Sequence, residues 1–464
     1  METFHGWVSW LDGYLWGAPM LILLFGTHIF LTIRLKFIQV YTPLAIKLSV
    51  AKDDDSEGDV SQFGALTTAL AATIGTGNIV GVATAIALGG PGAVLWMWLT
   101  GIFGIATKYS EALLSVYYRE KTSTGEMLGG PMYAIEKGLG QKWLAAIFCI
   151  FTSIAAFGIG NMVQANSIAT LVKETFDISP YVTGAVVTFL TAIVILGGIK
   201  SIAVVCEKLV PFMAIFYVAG CAVILVYNAS AIVPAIALIV KSAFTPQAAG
   251  GGFAGATMMM AARYGISRGL FSNESGLGSA PIVAAAAKTK NPVRQALVSS
   301  TGTFWDTVVV CAMTGLVLVT TIIKAPEAMQ GLQGSALTKA AFSYIPYVGP
   351  TVLTVGLLTF VYSTILGWSY YGERTTEYLF GKGSIRPYRL LWVAAVMVGS
   401  IIPLPLVWDM ADAANALMAI PNLVSLILLS GVVVSQTRKY LWDEEQEVVD
   451  IGQAQPIPVR EDEE

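Results

Sequence analysis

Apolar runs of about 20 residues recur along most of the chain, and no other feature restricts its fold as strongly. A run of that length crosses the ~30 Å hydrocarbon core of a bilayer as a helix. Backbone in hydrocarbon must satisfy its own hydrogen bonds, which leaves only helices or a closed barrel. Charged residues make up 12% of the chain, against about 25% in soluble domains. The expected fold class is therefore an all-α polytopic membrane protein in contact with the lipid bilayer. Eleven transmembrane segments are expected, at about 14–36, 62–88, 93–118, 142–168, 181–199, 208–228, 250–289, 297–323, 350–372, 388–403 and 405–435. The seventh, at about 40 residues, is too long for one straight span and must contain a break. Two amphipathic stretches, Val233–Phe244 and Pro326–Ile345, are expected along the outer surface and at the outer mouth.

Lysine and arginine orient these segments. Of the 27, 21 fall on one side and four on the other, with Arg263 and Arg268 left within the membrane. The rich side is cytoplasmic, so the N-terminus is expected outside and the C-terminus inside. The first residues lack the basic stretch of a cleaved signal peptide. The acidic loop Asp53–Asp59 and the tail from Asp443 are polar and expected to be mobile. The net charge of −3 gives no footing for nucleic acid.

Two stretches interrupt the apolar pattern. Thr73-Ile74-Gly75-Thr76-Gly77-Asn78 lies in the middle of segment two, where two glycines and two hydroxyls weaken a helix. Leu270-Phe271-Ser272-Asn273-Glu274-Ser275-Gly276-Leu277-Gly278 does the same in segment seven. Small residues can serve close helix packing. A pair of breaks at one depth instead suggests a midplane binding site. The segments then divide as one plus five plus five, each five opening on a broken helix. Because five is odd, the halves enter from opposite sides, which is the arithmetic of an inverted repeat. The expected boundaries are 1–61 for the N-terminus, extra helix and loop, 62–228 and 250–435 for the two repeats, 229–249 for an outer connection and 436–464 for the tail.

The polarity of the breaks suggests a ligand. An outer half-helix starting near Asn78 would present the N–H groups of Thr76, Gly77 and Asn78, which favour a carboxylate. An outer half of segment seven ending near Phe271 would present free carbonyls, which suit an ammonium group or a cation. That combination fits a zwitterion, hence an amino acid. Asn161 and Gln164 could contact it or bond neighbouring helices. Ser363 and Thr364 could ligate sodium or bond back to their own helix. Trp368, one turn on, could wall a small pocket or simply pack. Glu111 and Glu274 are expected to hold the unwound backbone, or Glu274 to pair with Arg268, since ionisable groups inside a membrane are functional candidates. Lys108 and Arg119 are expected to snorkel to the inner surface. Two distant histidines and four scattered cysteines supply no catalytic or metal cluster, so an enzyme is not expected, nor an organic cofactor.

Three stretches, Ala72–Gly81, Gly89–Glu111 and Arg268–Pro281, closely resemble the alanine or glycine:cation symporters, also called sodium:alanine symporters or amino acid carrier proteins. The likeness covers nearly the whole membrane region and excludes the acidic loop and tail. It implies the leucine-transporter-type (LeuT) fold of the amino acid–polyamine–cation superfamily, with one additional N-terminal helix. It further implies sodium-coupled uptake of alanine, and of glycine, by alternating access across the inner membrane of a prokaryote. Carried over by position, the resemblance implies sodium ligands at the carbonyls of Ala71 and Ile74 and the hydroxyls of Ser363 and Thr364. The implied substrate pocket comprises Gly77, Asn78, Gln164, Thr364 and Trp368 with backbone of the Ser272–Leu277 break, including Ser272, Asn273, Gly276 and Leu277; Thr76 joins it through its N–H at the helix start. Asn161, Phe271 and Leu277 enter it by position alone. A proton-coupled or uncoupled facilitator is the alternative, and the oligomeric state is open.

Overall fold

The computed structural model describes residues 2–51, 56–245, 258–402, 405–443 and 457–459. Part of the acidic loop, the start of the seventh segment and most of the tail lie outside them. Helices dominate the described residues, and the one two-stranded sheet among them is a small antiparallel hairpin, Glu120–Lys121 with Met127–Leu128. Six helices among the described residues are long and apolar enough to cross a membrane: His5–Arg34, Lys142–Phe176, Gly198–Tyr227, Pro292–Lys324, Val348–Phe380 and Leu406–Leu428. Val80–Gly89, Pro180–Ile195 and Ala229–Phe244 are apolar but shorter. The chain is thus a multi-pass membrane protein. The first segment starts earlier than expected, with Glu2–Leu15 joined to Ala18–Arg34 through Trp16 and Gly17.

Both expected breaks are present, and each has a local cause. Helix Gln62–Thr73 opens on Ser61, whose hydroxyl accepts the Gly64 N–H at 2.8 Å. It ends where Ile74 turns extended, a tight turn spans Thr76–Asn78, and Val80–Gly89 resumes the helix. In the other broken helix, Met258–Asn273 runs two residues past the expected end at Phe271 before unwinding. There Glu274, Gly276 and Gly278 take positive φ of 54°, 91° and 87°, until the short helix Pro281–Ala284. The left-handed region suits glycine; Glu274 enters it because its carboxylate is held on both oxygens.

Two helices frame these breaks. Ala93–Tyr117 packs against Met258–Asn273, while the 33-residue Val348–Phe380 packs against Gln62–Thr73. Gly367 lets the latter pair approach closely, since a Cβ there would lie 2.7 Å from that of Ala72. Two long helices carry π-helical turns beside the site, Ala156–Met162 and Phe304–Cys311. Such turns re-aim side chains and recur at functional sites. Of the two amphipathic stretches, Ala229–Phe244 buries Ala231, Ala235 and Ile239 on one face, and Gly334–Ser343 buries Leu337, Ala341 and Phe342.

Candidate functional site

The first break is held open by one side chain. Asn78 accepts the Gly75 N–H on Oδ1 at 2.9 Å. In an unbroken helix that N–H would bond the carbonyl of Ala71. The Asn78 N–H bonds the Gly75 carbonyl instead of that of Ile74. The carbonyls of Ala71 and Ile74 are thereby released from the helical pattern. They meet the long helix Val348–Phe380, where Ser363 Oγ lies 3.1 Å from Ala71 O and Thr364 Oγ1 lies 3.5 Å from Ile74 O. The same hydroxyls also bond back to Phe360 O at 2.8 and 3.0 Å. All four expected sodium oxygens therefore converge on one helix interface, neutral and buried.

Beside them lies a cavity of about 20 Å³ lined by Gly75, Thr76, Gly77, Gln164, Phe271, Glu274, Thr364 and Trp368, among others. Gly75 permits the contact with Thr364, whose Oγ1 would sit 2.7 Å from a Cβ at that position. Gln164 donates to Ile159 O at 2.9 Å, while its Oε1 is buried with no hydrogen-bond partner among the described residues. Trp368 is 1% exposed. Its indole N–H donates to Glu274 Oε1 at 3.0 Å, and its ring packs edge-on to Tyr371.

Six of the twelve residues expected to bind substrate line this cavity: Thr76, Gly77, Gln164, Phe271, Thr364 and Trp368. The others brace its walls. Asn78 spends both side-chain groups on Gly75 and Asp306. Asn161 donates to Trp392 O at 2.9 Å, a helix–helix bond. Ser272 donates to Asp306 Oδ2 at 2.9 Å. Asn273 accepts the Ser275 N–H. Gly276 is tied by its N–H to Glu111 and by its carbonyl to Asn422. Leu277 is fully buried, its N–H bonded to Glu274 O.

Two carboxyls organise the breaks. Glu111 Oε1 accepts the N–H groups of Gly276 and Gly278, each at 3.0 Å, and Asn422 Nδ2 at 2.7 Å. Asp306, which the sequence reading passed over, sits on the π-helical turn 304–311 and is fully buried. It accepts from Asn78 Nδ2 at 2.7 Å on one oxygen and from Ser272 and Thr307 on the other. It thus ties the first break to the second. An acid inside an apolar segment was the available signal.

Three expectations about charges change. Among the described residues Arg268 makes no ion pair with Glu274, which bonds Trp368 and Ser279. Lys108 does not snorkel: it is 3% exposed and lines a small cavity with Thr73 and Asn273. Its helix is enclosed by neighbours there, so the stem has no lipid route. Arg119 turns inward too, bonding the carbonyls of Ala285 and Ala287 at 3.0 and 2.7 Å just past the short helix Pro281–Ala284.

Residues 1–453 match the sodium:alanine symporter family. The chain belongs to that family. It is similar to the sodium/alanine symporter AgcS of Methanococcus maripaludis, with 54% identity over 94% of this chain and 97% of that one. It also resembles the probable sodium/glutamine symporter GlnT of Bacillus subtilis, at 36% identity over 92% and 88%. Among solved structures, MhsT in complex with L-phenylalanine aligns at a TM-score of 0.55 and 15% identity, covering 85% of this chain and 92% of that one. That likeness concerns the fold, which in this family member is the LeuT type with broken helices at its centre.

Proposed function

We propose that the chain is a sodium-coupled symporter that imports alanine, and glycine, by alternating access. The observation that carries this is the release of the Ala71 and Ile74 carbonyls beside Ser363 and Thr364, next to a small cavity. Sodium is a hard cation that takes unwound carbonyls and hydroxyls in this way. The amides of Thr76 and Gly77 face the substrate carboxylate, and carbonyls at the end of Met258–Asn273 face its ammonium. Residues 62–228 and 250–435 act as the two repeats, with the N-terminus outside. Support for sodium over protons comes from the family and from the neutral oxygens at the interface.

Binding one ligand must favour the state that binds the other, and such coupling is reciprocal. Sodium is expected to raise alanine affinity by about 5–150-fold, and alanine to raise sodium affinity by the same factor. Calorimetric titration of each ligand with and without the other checks this. Alanine affinity that ignores sodium would refute the reading.

The cavity also selects by size. Trp368 and Phe271 leave room for a methyl group. Each methylene at an apolar contact is worth about 1–3 kcal/mol, and steric exclusion costs more. Trp368→Ala is expected to admit leucine as a competitor of labelled alanine while weakening alanine itself. Unchanged competition by leucine would remove Trp368 from the pocket wall.

A further inference from the structure

Residues 457–459 add a strand to the small hairpin. Lys121 donates its N–H to the Pro458 carbonyl at 2.9 Å and pairs with Val459 in parallel. This happens on the edge of Glu120–Lys121 that faces away from Met127–Leu128. Pro458 has no N–H to offer, and the residue before a proline is biased to extended backbone. Ile457-Pro458-Val459 therefore suits addition at an edge and stops further pairing there. Ile457 is half-buried and lines a small pocket with Tyr117, Arg119, Thr289, Asn291 and Pro292. Pro458 and Val459 are exposed, so the strand is held on one side. It lies past residues 1–453, the reach of the family match.

The edge it joins is wired to the inner ends of both broken helices. Asp59 and Val60 donate their N–H groups to Ala286 O at 2.8 and 3.2 Å, and Lys288 N–H returns to Val60 O at 2.8 Å. Gly58 permits this approach, since a Cβ there would lie 2.4 Å from Lys288 N. Arg119, which precedes the edge strand, bonds the carbonyls of Ala285, Ala287 and Glu57. Lys121 pairs with the Glu57 carboxylate at 3.1 Å, and Asp59 Oδ2 accepts the Met127 N–H at 3.0 Å. The chain entering Gln62–Thr73 and the chain leaving Pro281–Ala284 are thus stitched together, and the hairpin holds the stitch. The small cavity lined by Thr73, Pro281 and Ser299 lies between the same two helices. Opening the site to the cytoplasm requires them to part here.

We propose that residues 457–459 are a detachable strand that docks on the Glu120–Lys121 edge and holds the cytoplasmic end of the transport path shut. The proposal rests on the transport reading and deepens it, adding control by the tail. Strand addition at an exposed edge is a common mode of peptide docking. The docked strand stiffens the hairpin that carries the bonds to Glu57 and Asp59, and so favours the state closed to the inside. A ligand shifts a conformational equilibrium only by its differential affinity for the two states. Here the tail is that ligand, because parting the stitch pulls Arg119 and Lys121 away from Glu57 and disturbs the edge. The contact is small, but attachment to the same chain supplies a high local concentration. The tail from Asp443 carries nine acidic residues against one arginine, and the lysine-rich inner face attracts it.

Cross-linking and accessibility test the strand. Neighbouring strands lie about 4.8 Å apart, within the Cα separation of about 4.4–6.8 Å that a disulfide spans. Lys121→Cys combined with Val459→Cys is therefore expected to form a disulfide in the full-length protein under mild oxidation. Ser299→Cys, on the wall of the cavity between the inner helix halves, reports opening to the inside. In inside-out membrane vesicles an impermeant maleimide reaches it only from the cytoplasmic face, and the four native cysteines are buried. Removing residues 457–464, or Ile457→Asp in the full chain, is expected to speed modification at position 299 by about 3–10-fold. That is the worth of one backbone hydrogen bond and a half-buried side chain. The oxidised 121–459 pair should slow modification below the parental rate, and reduction should reverse this. The comparison is made within one protein, which cancels the loss of the Lys121–Glu57 pair. The proposal is overturned if no disulfide forms between the two positions, or if the rate at position 299 is the same with the strand removed, free or linked. These readouts need no transport, so lack of alanine uptake by the unmodified protein would sink the transport reading alone.

Discussion

Asn78→Ala is expected to lower sodium-driven alanine uptake by at least about 100-fold while the protein still inserts. The substitution strands two buried groups, the Gly75 N–H and Asp306 Oδ1. Each unsatisfied group costs about 1–3 kcal/mol, and more where the partner is charged. At 1.4 kcal/mol per factor of ten, the pair accounts for a loss of that order. The chain can relieve the first by returning the Gly75 N–H to the Ala71 carbonyl, which rebuilds the helix and withdraws a sodium ligand. Sodium affinity should therefore fall together with uptake, although Asn78 is not itself proposed to touch the ion. Uptake measured beside sodium titration of the purified variant separates the possibilities. Parental sodium affinity in Asn78→Ala would show that the break does not depend on this side chain.

Ser363→Ala and Thr364→Ala are expected to shift the sodium dependence of uptake to much higher concentrations. Neighbouring hydroxyls on a helix point about 100° apart, yet these two reach Ala71 O and Ile74 O respectively. Losing either hydroxyl leaves an ion with fewer oxygens in a buried place. A lost hydrogen bond to a charged group is worth roughly 1.5–3 kcal/mol, and the loss of an ion ligand should be at least comparable, so half-maximal sodium should rise by about tenfold or more. Thr364→Ser keeps the oxygen and should be the mildest change. The sodium concentration giving half-maximal uptake reads the effect. Both alanine variants keeping the parental value would remove these hydroxyls from the ion.

The fold was legible because hydrocarbon permits so little else. Twenty apolar residues dictate a helix, and Gly75 and Gly77 between hydroxyls cannot continue one comfortably. The second break was legible in place but not in extent. Ser272 and Asn273 remain helical, and the unwinding starts at Glu274, where Trp368 and Ser279 hold the carboxylate. Trp368 lies far along the chain and Ser279 sits within the unwound stretch itself, so local helix propensity could not name them. Among the cavity residues, Gln164 was readable as a polar amide inside an apolar segment, and Trp368 from its place one helical turn after Thr364. Asn161 lies three residues before Gln164 yet faces Trp392, because the π-helical turn 156–162 rotates it off the regular face. Asp306 escaped notice among the apolar residues of its segment, although it joins the two breaks. Lys108 was misjudged for a related reason: a lysine snorkels only where its helix borders lipid, and packing around Ala93–Tyr117 is a tertiary property.

The central claim is that sodium drives alanine across this protein. The direct measurement is labelled alanine uptake into proteoliposomes with an inward sodium gradient, compared with sodium-free vesicles carrying an inward proton gradient. The predicted result is accumulation above the external concentration with sodium alone, abolished by a sodium ionophore. Accumulation driven by protons without sodium, or mere equilibration in both cases, would contradict the account.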